Sequence, residues 1–94
     1  IDSIQQAVCD YFKIKNADLR SKRRTRTIAV PRQVAMYLCR RLTDASYPSI
    51  GDRFGGRDHS TVIHATQVVD ERMKHDPALR SAVERISRML ETSG

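Results

Sequence analysis

Residues Pro48 to Ala65, PSIGDRFGGRDHSTVIHA, place a glycine pair between two segments whose apolar residues recur at helical spacing. Glycine adopts the positive φ angles that let a chain reverse sharply, so Gly55 and Gly56 end the first segment and allow the second to cross it. The second segment then opens with Arg57, Asp58, His59, Ser60 and Thr61, a set of short polar and cationic side chains. Such a first turn can enter a DNA major groove and reach base edges, which makes this a helix-turn-helix. Purely structural bundles also contain such helix pairs, so the rest of the chain has to bear on the choice.

Working outward, Ser46 or Ser49 can cap the short helix carrying Ile50 and Phe54. After the glycines, Val62, Ala65, Val69 and Met73 form one apolar face, opposite Ser60, His64, Gln67 and Glu71. His75, Asp76 and Pro77 break that pattern, and a final helix is predicted to bury Leu79, Ala82, Val83, Ile86, Met89 and Leu90. Towards the N-terminus, Asp2 or Ser3 can cap a helix with the stripe Ile4, Ala7, Val8, Tyr11 and Phe12. Asn16 or Asp18 then starts a short turn of helix around Leu19. Ser21 to Thr27, SKRRTRT, has no periodicity and reads as a loop. Pro31 suits the first position of the next helix, whose predicted buried stripe is Val34, Ala35, Leu38, Cys39 and Leu42, ending near Asp44. With no strand alternation and no repeat, the fold class is all-α, a compact bundle of one domain spanning residues 1–94.

The composition favours a polyanionic partner. Lys and Arg number 17 against 11 Asp and Glu, for a net charge of +6 and a pI near 9.9. Arg20, Lys22, Arg23, Arg24, Arg26, Arg32, Arg40 and Arg41 fall in one block that contains no acid, so the remaining residues carry a net negative charge. Charge gathered in one stretch marks a binding face more than general solubility. No run of about 18 apolar residues could span a membrane, and the N-terminus lacks the layout of a signal peptide. Cys9 and Cys39 sit on apolar helical stripes, where a reduced buried thiol and a cytoplasmic setting are expected. The first residue is Ile1, which reads as a fragment of a longer protein.

Three enzyme or metal readings fail on chemistry. Asp58, His59 and Ser60 contain the letters of a hydrolase triad, but neighbouring helical residues diverge by about 100°, so they cannot align as nucleophile, base and orienter. Gly51 to Gly56 has the spacing of a phosphate loop, yet Arg57 and Asp58 stand where lysine and a hydroxyl residue are needed. Cys9, Cys39, His59, His64 and His75 show no paired ligand spacing for zinc. No catalytic residue, metal or cofactor is expected. A basic helical module that docks on an acidic protein or an anionic membrane is the alternative to DNA binding.

SKRRTR at residues 21–26, PRQVAMYL at 31–38 and IGDRFGGRDHSTVIHA at 50–65 together resemble the C-terminal DNA-binding domain of the bacterial replication initiator DnaA. The resemblance covers nearly the whole chain and implies a Trp-repressor-like helical bundle that binds DnaA boxes at the replication origin; one helix-turn-helix with no obvious dimer seam predicts binding as a monomer. It further implies a nucleoid-associated cytoplasmic protein, with an upstream AAA+ ATP-binding domain through which other initiator protomers are contacted.

By that resemblance Arg24 is the side chain inserted in the minor groove, and Arg40 lies near the major groove. Inserted arginines gain sequence preference because A·T-rich minor grooves are narrow and strongly negative. His59 and Ser60 are expected on base edges, with Ser60 standing where relatives often have threonine. Asp58 can cap the helix, accept from a cytosine amino group, or do both. Lys22, Arg23, Arg26, Arg57 and Thr61 are expected on phosphates. Arg32 and Gln33 are expected there too, as openers of their helix. His64 is expected to pack against a neighbouring helix.

Overall fold

The computed structural model describes residues 1–93. Six helices run in the order α1 Asp2–Phe12, α2 Asn16–Arg20, α3 Arg26–Leu42, α4 Tyr47–Arg53, α5 His59–Met73 and α6 Pro77–Ser93. No strand occurs among the described residues. Helix α3 is the hub, packing against each of the other five. Its residues from Val34 to Cys39 are consecutively buried, because a helix enclosed on all sides needs apolar residues around its whole circumference. The expected stripe is therefore too narrow: Met36 and Tyr37 are buried as well, at 1% and 7% exposure.

Several expected boundaries move. Pro31 does not open α3; it lies inside, as the sixth residue of the helix. The helix begins instead at Arg26, where the Thr25 carbonyl accepts from both Ile28 N (3.0 Å) and Ala29 N (2.7 Å). Proline removes the bond that residue 31 would have donated to Thr27, and Thr27 is exposed, so water can satisfy its carbonyl. Arg32 and Gln33 consequently sit in the second turn rather than at an exposed helix N-terminus. Leu42, expected in the core, is 50% exposed at the last turn of α3, and Met89 on α6 is 36% exposed. Neither Asp2 nor Ser3 caps α1, whose N-cap is Ile1. Asp2 instead pairs with Arg53 at the end of α4, and Gln5 Nε2 donates to the Arg53 carbonyl at 2.8 Å. Helix α1 thereby holds the first helix of the helix-turn-helix.

The helix-turn-helix contributes Ile50, Phe54 and Val62 to the core, each at 0% exposure. Its turn is fixed by close backbone approaches. Gly55 and Gly56 have φ of 88° and 75°. A Cβ on Gly55 would collide with the Arg20 carbonyl, and one on Gly51 with the Arg57 carbonyl, whereas a Cβ on Gly56 meets open space. The short α2 is tied to α3 by Arg32, a buried guanidinium that donates through Nε to the Leu19 carbonyl at 3.2 Å. Its Nη2 reaches the Asp18 carbonyl at 3.3 Å and Ser21 Oγ at 3.4 Å. These bonds close the C-terminus of a helix too short to hold itself together.

Alanine at position 51 or 55 should destabilise by about 2 to 4 kcal/mol, through a backbone clash and, at 55, a strained φ. Gly56→Ala carries only the conformational penalty of about 1 kcal/mol. Urea unfolding would check that order, and Gly56→Ala as the worst of the three would contradict the turn geometry. Arg32→Ala leaves carbonyls at the end of α2 without their charged donor, so it should cost about 2 to 3 kcal/mol in the same assay.

Burial holds the Cys39 proton, pushing its pKa up to about 12 from 9.0. The unfolded thiol ionises near its ordinary value, so above about pH 9 the unfolded state binds fewer protons and stability falls as pH rises. The Cys39 contribution to that slope approaches about 1.4 kcal/mol per pH unit. Unfolding at pH 8, 9 and 10 should show a shallower decline in Cys39→Ala than in the parent.

Candidate nucleic-acid interface

Helix α4 starts at Ser46, whose Oγ accepts from Ser49 N at 3.2 Å. Its C-terminal residues run into the glycine turn, where Arg57 N returns to the Gly51 carbonyl at 2.9 Å. Asp58 is the N-cap of α5. Its Oδ2 accepts from Ser60 N at 3.3 Å and also from the Ser60 hydroxyl. The Ser60 hydroxyl is the main cause that holds the Asp58 carboxyl below its ordinary range. Of the two roles open to Asp58, the cap is formed in the free protein; the remaining oxygen, Oδ1, lies 3.4 Å from His59 Nδ1.

His59, Ser60 and Thr61 are exposed in the first turn of α5. So are His64, Gln67 and Glu71 along the same face, which corrects the expectation that His64 packs against a neighbour. Arg40 is exposed at the end of α3, with its guanidinium 4.3 Å above the Tyr47 ring and Nη1 donating to the Ala45 carbonyl at 3.1 Å. It borders a groove with Thr66 and Gln67 of α5, so it lies beside the free face further along the helix from Ser60.

The basic loop is shorter than expected, because Arg26 and Thr27 belong to α3. Lys22, Arg23, Arg24 and Arg26 are all exposed. Ser21 anchors the loop: its Oγ donates to the Asp18 carbonyl at 2.8 Å and accepts from Arg23 N at 3.3 Å. Its carbonyl accepts from Arg57 Nη2 across 36 positions of sequence. Arg57 is half-buried, and its Nε is enclosed without a hydrogen-bond partner. Burial lowers the pKa of both Arg57 and Arg32, the latter also through the nearby Arg57 charge.

The loop and the helix-turn-helix meet in a cleft of about 290 Å³ lined by Arg20, Lys22, Arg24, Arg32, Gly55, Gly56, Arg57 and Thr61. Among the described residues, five cations and no acid form its walls. An open cleft with one sign of charge concentrates potential and attracts an anion. Arg24, Lys22, Arg32, Arg57 and Thr61 of the expected site are thus brought together. His59 and Ser60 stand on the same turn as Thr61, while Arg23, Arg26, Gln33 and Arg40 lie outside the cleft. Arg20, named only as the start of the acid-free cationic block, and the glycine pair, named only as the turn, also line the cleft. Arg32 and Arg57 differ from plain phosphate clamps, since each holds protein carbonyls.

Among the described residues no helix is long and apolar enough to cross a membrane. Residues 1–69 match the family described as bacterial dnaA protein helix-turn-helix. A crystal structure of a DNA replication initiation factor superposes on 94% of this chain with a TM-score of 0.79 and 33% sequence identity. This chain spans 28% of that protein's length. The helix-turn-helix, its basic loop and these two matches agree: the chain belongs to the bacterial dnaA protein helix-turn-helix family.

Proposed function

We propose that this domain binds double-stranded DNA sequence-specifically as a monomer, at DnaA boxes of the replication origin, by gripping both grooves. The observation that carries this reading is the acid-free cleft, which joins the exposed arginine loop to the first turn of α5. A single phosphate-binding patch would need only charge. Here the charge links two elements suited to different grooves, so one phosphate strand between them would let each reach bases.

In this reading Arg24 enters the minor groove and gains preference from its width and potential. His59 and Ser60 read the major groove. Arg40 supports that side near Gln67, and Asp58 adds a base contact only through the oxygen left over from capping. Lys22, Arg23, Arg26, Gln33 and Thr61 position the domain on phosphates, while Arg32 and Arg57 add charge to the cleft. The upstream ATP-binding domain and contacts to other initiator protomers belong to the whole protein. The proposal includes no cofactor and no catalytic step.

Competition binding at fixed salt, with a box duplex against scrambled and single-base variants, tests the reading. Each mismatch should cost about 1 to 3 kcal/mol. Arg24→Ala should weaken binding and flatten preference on the A·T-rich side, and His59→Ala or Ser60→Ala should flatten it in the major-groove half. If about six phosphates are neutralised, log affinity falls against log salt with a slope of about −5. Equal affinity for box and scramble would sink the specific reading and leave a general basic surface.

A further inference from the structure

We propose that Arg57 is a positioning residue that fixes the basic loop to the recognition helix, so that the minor-groove side chain and the major-groove side chains keep one register. This rests on the two-groove reading above and goes beyond it, because it assigns the coupling between the two grooves to one side chain.

The two ends of Arg57 are held by different elements. Its backbone is held on α4 by the bond from Arg57 N to the Gly51 carbonyl, 2.9 Å, and by an approach so close that Gly51 has no room for a Cβ. The next residue, Asp58, caps α5. The main chain of Arg57 is therefore fixed relative to the first turn of the recognition helix. Its side chain runs the other way and donates to the carbonyl of Ser21, the residue from which the basic loop departs. Arg24 follows Ser21 by three residues, a span of roughly 10 Å at full extension. Anchoring Ser21 therefore confines where the Arg24 guanidinium can be.

Arg32 cannot replace this bond. Its donors close α2 at Asp18 and Leu19 and touch only the Ser21 hydroxyl, so it holds the helix before the loop and leaves the Ser21 carbonyl to Arg57. Removing Arg57 should accordingly free the loop while α2 stays in place. It also removes a cation that disfavours charge on Arg32, and it eliminates a buried Nε with no partner. The fold should tolerate the loss, with the unfolding midpoint moving by less than about 5 °C.

Two measurements on Arg57→Ala and Arg57→Lys decide the matter. In the free protein, backbone 15N relaxation should show Lys22 to Thr25 loosening in Arg57→Ala while His59 to Met73 stays as rigid as in the parent. Arg57→Lys, whose ammonium can still donate to a carbonyl, should restore most of the order. In binding, Arg57→Ala should lower the discrimination against A·T-side variants at least threefold. Discrimination in the half read by His59 and Ser60 should stay within twofold of the parent. Arg57→Lys should recover the A·T-side ratio.

An unchanged loop in Arg57→Ala would overturn the proposal whatever the DNA result. So would a uniform loss of affinity with both discrimination ratios intact, which is what a phosphate contact alone would give. If the parent fails to separate box from scramble, the proposed function falls, and the relaxation data still decide whether Arg57 fixes the loop.

Discussion

The carbonyl groups that close α2 are the joint on which the interface depends. A five-residue helix cannot satisfy its own last carbonyls, and this one delivers them to two arginines from distant parts of the chain. Arg32 reaches Asp18 and Leu19 from α3, and Arg57 reaches Ser21 from the helix-turn-helix. Gly55 presses against the Arg20 carbonyl at the same place. The basic loop thus leaves the fold from a point fixed by the hub helix and by the turn of the recognition motif. On the proposed two-groove reading, loss of that joint would leave the loop a flexible cationic tether, able to attract DNA but poorly placed to read it.

This joint gathers like charges. Burial disfavours the charge on both Arg32 and Arg57, the Arg57 charge adds to the effect at Arg32, and no carboxylate among the described residues lines the cleft they share. Carbonyl dipoles offset part of that repulsion, since each accepts a charge-assisted bond. The rest remains as unneutralised positive potential. In a protein whose partner is a polyanion, such potential is discharged on binding, when phosphate replaces the missing counter-charge. The structural role of the two arginines and the attraction for DNA are therefore compatible: one set of N–H groups serves the fold while the net charge serves the ligand.

Much of this was legible in the sequence, and what was not has a physical reason in each case. Six helical segments, the glycine turn, the exposed face of α5 and the cationic block follow from periodicity, turn chemistry and local charge. Those signals are short-range. Pro31 was misplaced because its fixed φ suits a helix start, yet five preceding residues joined the helix once the Thr25 carbonyl found two donors. Leu42 matched the apolar stripe, but the stripe continues past the point where neighbouring helices cover it. Asp2 had the chemistry of a cap and was drawn off by Arg53, 51 positions away. Arg32 and Arg57 looked like phosphate clamps because nothing local reveals that Ser21 and the end of α2 lie within their reach. For Asp2, Arg32 and Arg57 a contact distant in sequence overrode a sound local preference.

Asp58 shows how far the geometry narrows a choice that the sequence left open. A capping carboxylate that also reads a base needs one oxygen for each task. Here Oδ2 takes both Ser60 donors, its backbone N–H and its hydroxyl, which leaves Oδ1 beside the His59 ring. The consequence falls on Ser60 as much as on Asp58. With its hydroxyl proton directed at the carboxylate, Ser60 presents only lone pairs outward. It can accept from an amino group on a base edge, but it can donate to one only by breaking the bond that helps cap α5. If the first turn reads bases as proposed, the cap biases it towards donors, the exocyclic amino groups of adenine and cytosine. A threonine at the same position would carry the same bias and add a methyl group for thymine.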